Sequence, residues 1–111
     1  GSVDAIYVPT DNTVVAALES VIAFCERNKI PLIAGEGESV SRGALATIGI
    51  DYYQLGRQTG DMAIRILNGS KPETTPIEFQ QTMNLIINKE AAKRMGISIP
   101  DVLLKAATII E

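Results

Sequence analysis

Two short apolar runs, residues 3–8 (VDAIYV) and 31–35 (PLIAG), flank a segment of helical length, and this arrangement restricts the fold more than any other part of the sequence. Both runs are rich in β-forming residues and nearly continuous in apolar character, as strands covered on both faces are. Between them, residues 13–28 place Val14, Leu18, Val21, Ile22 and Cys25 on one helical face, with Glu19, Glu26 and Arg27 elsewhere. Pro9, Thr10, Asp11 and Asn12 form a turn and cap cluster at the start of that helix. A strand, helix and strand of this length make a parallel crossover. The right-handed rule for such crossovers sets the two strands side by side.

Further along, residues 36–42 (EGESVSR) read as a polar loop with room for one helical turn, and residues 44–50 (ALATIGI) as a third strand. Asp51 and Gln54 have capping-box spacing ahead of a long helix over residues 52–67, whose apolar face is Leu55, Met62, Ile66 and Leu67. Asn68-Gly69 stops it. Gly56 and Gly60, four apart, suggest a close approach of this helix to a neighbouring element. Residues 70–76 are the most linker-like stretch, and 77–81 and 84–88 are short strand-like segments. Asn88 caps a helix over 89–95 that Gly96 closes, and Pro100 opens a last helix over 101–110. The fold class is α/β: a Rossmann-like, mostly parallel sheet of three or four strands with flanking helices. A sheet this small leaves apolar faces and strand edges without partners, so the isolated chain is expected to be incomplete and to self-associate.

The sequence excludes several functions. It has no His, so His-dependent nucleophilic catalysis is ruled out, and one Cys without His is a poor basis for a zinc site. Cys25 lies in an apolar helical stretch and reads as a buried, inert thiol. The formal charge of -3 and the scattered basic residues Arg42, Arg57, Lys93, Arg94 and Lys105 argue against a nucleic-acid partner. Gly35-Glu36-Gly37 lacks the spacing of a nucleotide loop. No cofactor is expected. Gly1 and Ser2 read as a cloning remnant, which leaves the native start and any export signal outside this sequence.

In open α/β sheets, ligands bind beyond the C-terminal ends of the strands. That rule selects three junctions here: Thr10, Asp11 and Asn12; Gly35, Glu36 and Gly37; and Asp51 with Tyr52 and Tyr53. The helix N-termini after Asn12 and Asp51 favour an anionic group such as a carboxylate. Each junction also has a plainer reading. Asp11, Asn12 and Asp51 are good helix caps, Glu36 is a solvated charge, and Tyr52 and Tyr53 are core or interface aromatics. Asp11 and Glu36 carry no spacing that demands acid–base work, so the chain is not expected to be an enzyme.

The ordered segments VDAIYVPTDNTVVAALESV, IPLIAGE, GALATIGIDYYQLGRQTGDMAIRILNGSKP and NLIINKEAAKRMGISIP resemble ABC-transporter substrate-binding proteins, and among these the tryptophan/tyrosine-type branch. The resemblance implies a periplasmic-binding-protein type I fold, two α/β lobes joined by three crossing segments with a small molecule held between them. It implies that this chain is a C-terminal portion. Residues 3–45 correspond to a second-lobe unit, 46–70 to the return crossing and a first-lobe helix, and 71–111 to the last crossing and tail. Thr10, Asp11 and Asn12 match the first cleft loop, Glu36 the second, and Asp51 with Tyr52 a hinge-proximal contact. The implied function is capture of an amino acid, aromatic by the branch, outside the cytoplasm for an ABC permease. The alternative on the same fold is a ligand-sensing effector domain of a transcriptional regulator or signalling protein.

Overall fold

A computed structural model of the chain describes residues 3–111; Gly1 and Ser2, read above as a cloning remnant, lie outside the described residues. The elements run β1 (Ile6–Val8), α1 (Asn12–Ala16), α2 (Leu18–Asn28), β2 (Leu32–Ala34), α3 (Gly37–Arg42), β3 (Ala46–Ile50), α4 (Tyr52–Leu67), a 3-10 turn (Pro72–Thr74), β4 (Met83–Asn88), α5 (Lys89–Met95), α6 (Asp101–Ala106) and β5 (Thr108–Ile110). The strands form one sheet in the order β1-β2-β3-β4-β5. β1 with β2, β2 with β3, and β4 with β5 pair in parallel. This is the mostly parallel α/β architecture that the crossover pattern predicts.

The chain divides into two compact units, residues up to Gly49 together with Asn84–Glu111, and Ile50–Met83. In the first unit, Leu18, Ile22 and Cys25 of α2 pack with Val8, Leu32 and Ala34 of β1 and β2, Val40 of α3, and Ala92 and Met95 of α5. Leu18, Cys25, Leu32, Val40 and Met95 are fully buried. Three of the five residues expected on the buried helix face are thus buried, and Val14 and Val21 pack against the cluster from its rim. Burial pushes the Cys25 thiol above its ordinary pKa, with the Glu26 carboxylate adding to the effect.

α2 and α5 end in the same way. Lys29 and Gly96 both adopt the left-handed conformation, and Ile30 N and Ile97 N donate back to Cys25 O and Ala92 O. Lys29 Nζ also donates to Arg94 O at 2.7 Å, which ties the two helix ends together. Asn88 is buried and serves two elements. Its Oδ1 accepts from Ala91 N at 2.8 Å to cap α5, and its Nδ2 donates to Val40 O at 3.0 Å on α3.

Four local expectations are corrected. The helix over 13–28 is two helices broken at Ala17, where Val15 O accepts from Arg42 Nη2 at 2.9 Å. The same carbonyl also accepts a backbone N–H in the C-cap of α1. The loop over 36–42 is the helix α3, because Glu36 caps it. The last helix stops at Ala106, and the β-branched run Thr108-Ile109-Ile110 pairs instead with Ile86, Ile87 and Asn88, making a fifth strand. Residues 77–81 form no strand.

The second unit is built differently. α4 begins and ends where the caps predict, but none of residues 50–83 is buried. Leu55, Met62 and Ile66 are half-buried and Leu67 is exposed, contrary to its expected place on the apolar face. Gly56 and Gly60 make no close approach: a methyl group at either position meets no atom within 4 Å. Among the described residues, no helix is long and apolar enough to cross a membrane.

Candidate ligand-binding site

The parallel register decides which loops meet. β1 and β2 pair Ile6 with Leu32, Tyr7 with Ile33 and Val8 with Ala34, so both strands end level. Thr10 and Glu36 each follow two residues after a paired position. The two loops touch through Gly35, where an added methyl group would stand 2.9 Å from Thr10 N and 3.0 Å from Thr10 Oγ1. Only a residue without a Cβ lets the chain leave β2 this close to the loop after β1. The end of β3 joins the same place: a methyl group on Gly49 would lie 3.6 Å from Glu36 Cα.

The acidic side chains at these junctions all turn towards helix N-termini. Asp11 Oδ1 accepts from Val14 N at 2.9 Å and caps α1. Glu36 Oε2 accepts from Glu38 N at 2.7 Å, and its Oε1 accepts from Ser39 N at 2.9 Å and from the Ser39 hydroxyl. Asp51 Oδ1 accepts from Gln54 N at 3.0 Å and caps α4. In each case a carboxylate satisfies amides that the first helical turn leaves without partners, a favourable placement against the helix dipole. The plainer capping reading therefore holds for Asp11 and Asp51, whereas Glu36, read as a solvated charge, is instead a half-buried helix cap. Capping does not exclude a ligand contact, since Asp11 caps α1 through Oδ1 and Thr10 and Asn12 beside it are exposed.

Thr10, Asp11, Asn12 and Glu36 are thus brought together in the first unit. Asp51 and Tyr52 belong to the second, at the head of α4, where Tyr52 and Tyr53 are 61% and 71% exposed. Neither tyrosine is a core residue within this chain. Two residues at the first site escape a reading of sequence alone. Gly49 interrupts a β-branched strand, a signal of close backbone approach. Thr47 lies on the same strand face, fully buried, with a hydroxyl that has no partner among the described residues.

The family model described as ABC transporter substrate binding protein matches residues 1–110. The chain belongs to the ABC transporter substrate-binding protein family. It is similar to a tyrosine-binding protein of Clostridioides difficile (strain R20291), 42% identical over 95 residues, which cover 86% of this chain and 28% of that one. Among solved structures it is similar to the ligand-free, open form of a substrate-binding protein with adhesive properties from Clostridium difficile, with a TM-score of 0.82 and 37% identity over 100% of this chain and 37% of that one. It is also similar to an ABC domain in complex with L-Trp from Streptococcus pneumonia, with a TM-score of 0.80 and 37% identity over 99% of this chain and 37% of that one. The chain therefore spans about a third of the length of the proteins it matches. The resemblance drawn from PTDN, GIDYYQLG and INKEAAKRMGI holds, as does the expected α/β class.

Proposed function

We propose that this chain forms part of the solute-binding component of an ABC importer, and that the whole protein captures an amino acid with an aromatic side chain. Its relatives support the ligand class, one being a tyrosine-binding protein and another a complex with L-Trp. The observation that carries the proposal is the level ending of β1 and β2, which sets Thr10 against Gly35 and Glu36 at the C-terminal edge of the sheet. That edge is where open α/β sheets hold small molecules.

In this reading, Thr10, Asp11, Asn12 and Glu36 form one wall of the cleft. The amides at the starts of the helices favour the ligand carboxylate, and an acidic side chain takes its ammonium group. Asp51 and Tyr52 are residues of the second unit that the family resemblance assigns to the ligand. The lobe assignment of residues 3–45, 46–70 and 71–111 belongs to the same reading. Binding closes the parent about its hinge because the ligand gains contacts with both lobes, and a permease then receives it. The parent works outside the cytoplasm, and no step makes or breaks a covalent bond.

Titration calorimetry of the full-length protein with L-Tyr, L-Trp and L-Ala tests the proposal. Asp11→Asn keeps a capping oxygen and removes the charge, so it is expected to weaken binding of the aromatic amino acid roughly tenfold, about 1.4 kcal/mol, at unchanged stability. An unaltered dissociation constant would remove Asp11 from the site. Failure of the wild-type protein to bind any of the three would remove the ligand class.

The same reading makes the isolated chain self-associate. On the sheet face away from α2, Ile33, Ala46, Leu85, Ile87 and Leu103 line an apolar hollow of about 160 Å³, and Ile48 beyond it is 66% exposed. Light scattering is expected to give a mass above that of one chain. A monodisperse monomer with a sharp calorimetric transition would contradict this.

A further inference from the structure

A polar groove within the second unit has no part in the function proposed above. Gln54, Arg57, Gln58, Asp61 and Arg65 follow helical spacing along one side of α4. Opposite them, Glu78, Gln80, Gln81 and Thr82 line the other side from the segment that precedes β4. Together they bound a hollow of about 260 Å³.

Part of this groove is internally satisfied. Arg65 pairs with Glu78, and Gln58 Nε2 donates to Phe79 O at 2.9 Å and to Glu78 Oε2 at 3.3 Å. These bonds hold Glu78 and Phe79 against α4. The rest is open. Arg57 and Asp61 line the groove about one helical turn apart, and among the described residues neither has an ion-pair or side-chain hydrogen-bond partner. They do not pair with each other, and cation-before-anion is the weaker order for an i, i+4 pair on a helix. The side-chain oxygen of Gln80, in the opposite wall, is buried and has no donor among the described residues.

We propose that this groove binds a small zwitterion, its carboxylate on the Arg57 guanidinium and its ammonium on the Asp61 carboxylate. The two side chains rise from positions about 6 Å apart along the helix axis, and the long, flexible Arg57 side chain can close with Asp61 on the two poles of one small molecule. A guanidinium grips a carboxylate with two parallel N–H donors. A simple anion answers only Arg57, and a simple cation only Asp61. A ligand with both charges satisfies the pair without leaving either uncompensated, and a further N–H donor on it suits the Gln80 wall. The site is separate from Thr10, Asp11 and Glu36, so either can fail while the other stands.

The test is an NMR titration of the ¹⁵N-labelled chain with L-alanine, acetate and methylammonium at fixed ionic strength. L-alanine is expected to cause saturable shifts in the amides of Arg57, Asp61 and residues 80–82. Acetate and methylammonium should bind at least tenfold more weakly. Arg57→Gln and Asp61→Asn, both at exposed positions, should each weaken L-alanine binding at least tenfold, and Asp11→Asn should leave it unchanged. Arg57→Lys, which keeps the charge without the planar fork, should fall between; it serves as the second variant if Arg57→Gln alters the far-ultraviolet circular dichroism. The proposal is overturned by shifts that never saturate, by equal responses to L-alanine and sodium chloride, by shifts confined to the loops of Thr10 and Glu36, or by variants that bind as the wild type does.

Discussion

The two units of this chain hold their shape by different means. The first surrounds Leu18, Leu32, Val40 and Met95 with parallel strands and three helices, and one of its buried polar residues, Asn88, is bonded on both sides. The second has no buried residue at all. It depends on the capped helix α4 and a polar bridge from Gln58 and Arg65 to Glu78 and Phe79. Apolar burial contributes about 1.5–3 kcal/mol for each large side chain fully enclosed, whereas an exposed ion pair contributes at most about 1 kcal/mol. The first unit therefore carries most of the chain's folding free energy, although α4 is its longest helix.

Substitutions in the two units should separate them sharply. Met95→Ala empties a fully enclosed site and is expected to cost about 2–5 kcal/mol in urea denaturation. Ile64→Ala, at a residue 55% exposed on α4, should cost less than about 0.5 kcal/mol. Equal losses would mean that the second unit has a core of its own and would end the contrast.

Gly56→Ala and Gly60→Ala sharpen the comparison with the opposite sign. Each removes an entropic cost inside a helix without a clash, so each should stabilise α4 by about 0.5–1 kcal/mol and raise helical ellipticity. A loss of stability would show that a neighbour packs on the bare side of the helix. In the first unit, Gly35→Ala has no such room.

The smallest effect concerns Glu19. A hydrogen bond from Arg42 holds its carboxyl below the ordinary carboxylate pKa, and the same arginine reaches Val15 O at the break between α1 and α2. A pKa lower in the folded state means that the pair's contribution is complete above the ordinary value of 4.5 and is lost as pH falls through the folded value. Glu19→Gln should therefore lower Tm slightly at neutral pH and flatten its decline below about pH 4.5. An identical acid limb in the variant would show that the bridge is thermodynamically silent.

These contrasts also mark how far the sequence could be read. The α4 boundaries were legible because Asp51, Gln54 and Asn68-Gly69 act within a few residues of the helix they delimit. The Asn88 and Gly96 caps of α5 were legible for the same reason. The break at Ala17 was not, and the side chain that bonds beside it, Arg42, lies 25 residues further on and is held by an ion pair with Glu19. β5 was not, because Thr108-Ile109-Ile110 becomes a strand only where β4 offers it an edge. At the candidate site, the strand-end rule picked out Thr10, Asp11 and Glu36. The contribution of Gly49 and the unpartnered hydroxyl of Thr47 depend on how β3 lies beside the Glu36 loop.

By itself the sequence determined the first crossover, the caps of α4 and α5 and the family, since hydrophobic period, capping chemistry and motif order are properties of neighbouring residues. Tertiary structure alone decided that Thr10 and Glu36 stand side by side, that a fifth strand completes the sheet, and that α4 remains without a buried face. Each of these turns on which residues far apart in the chain meet and which do not, and the pairing of β1 with β2 and of β4 with β5 is decided only in the folded chain.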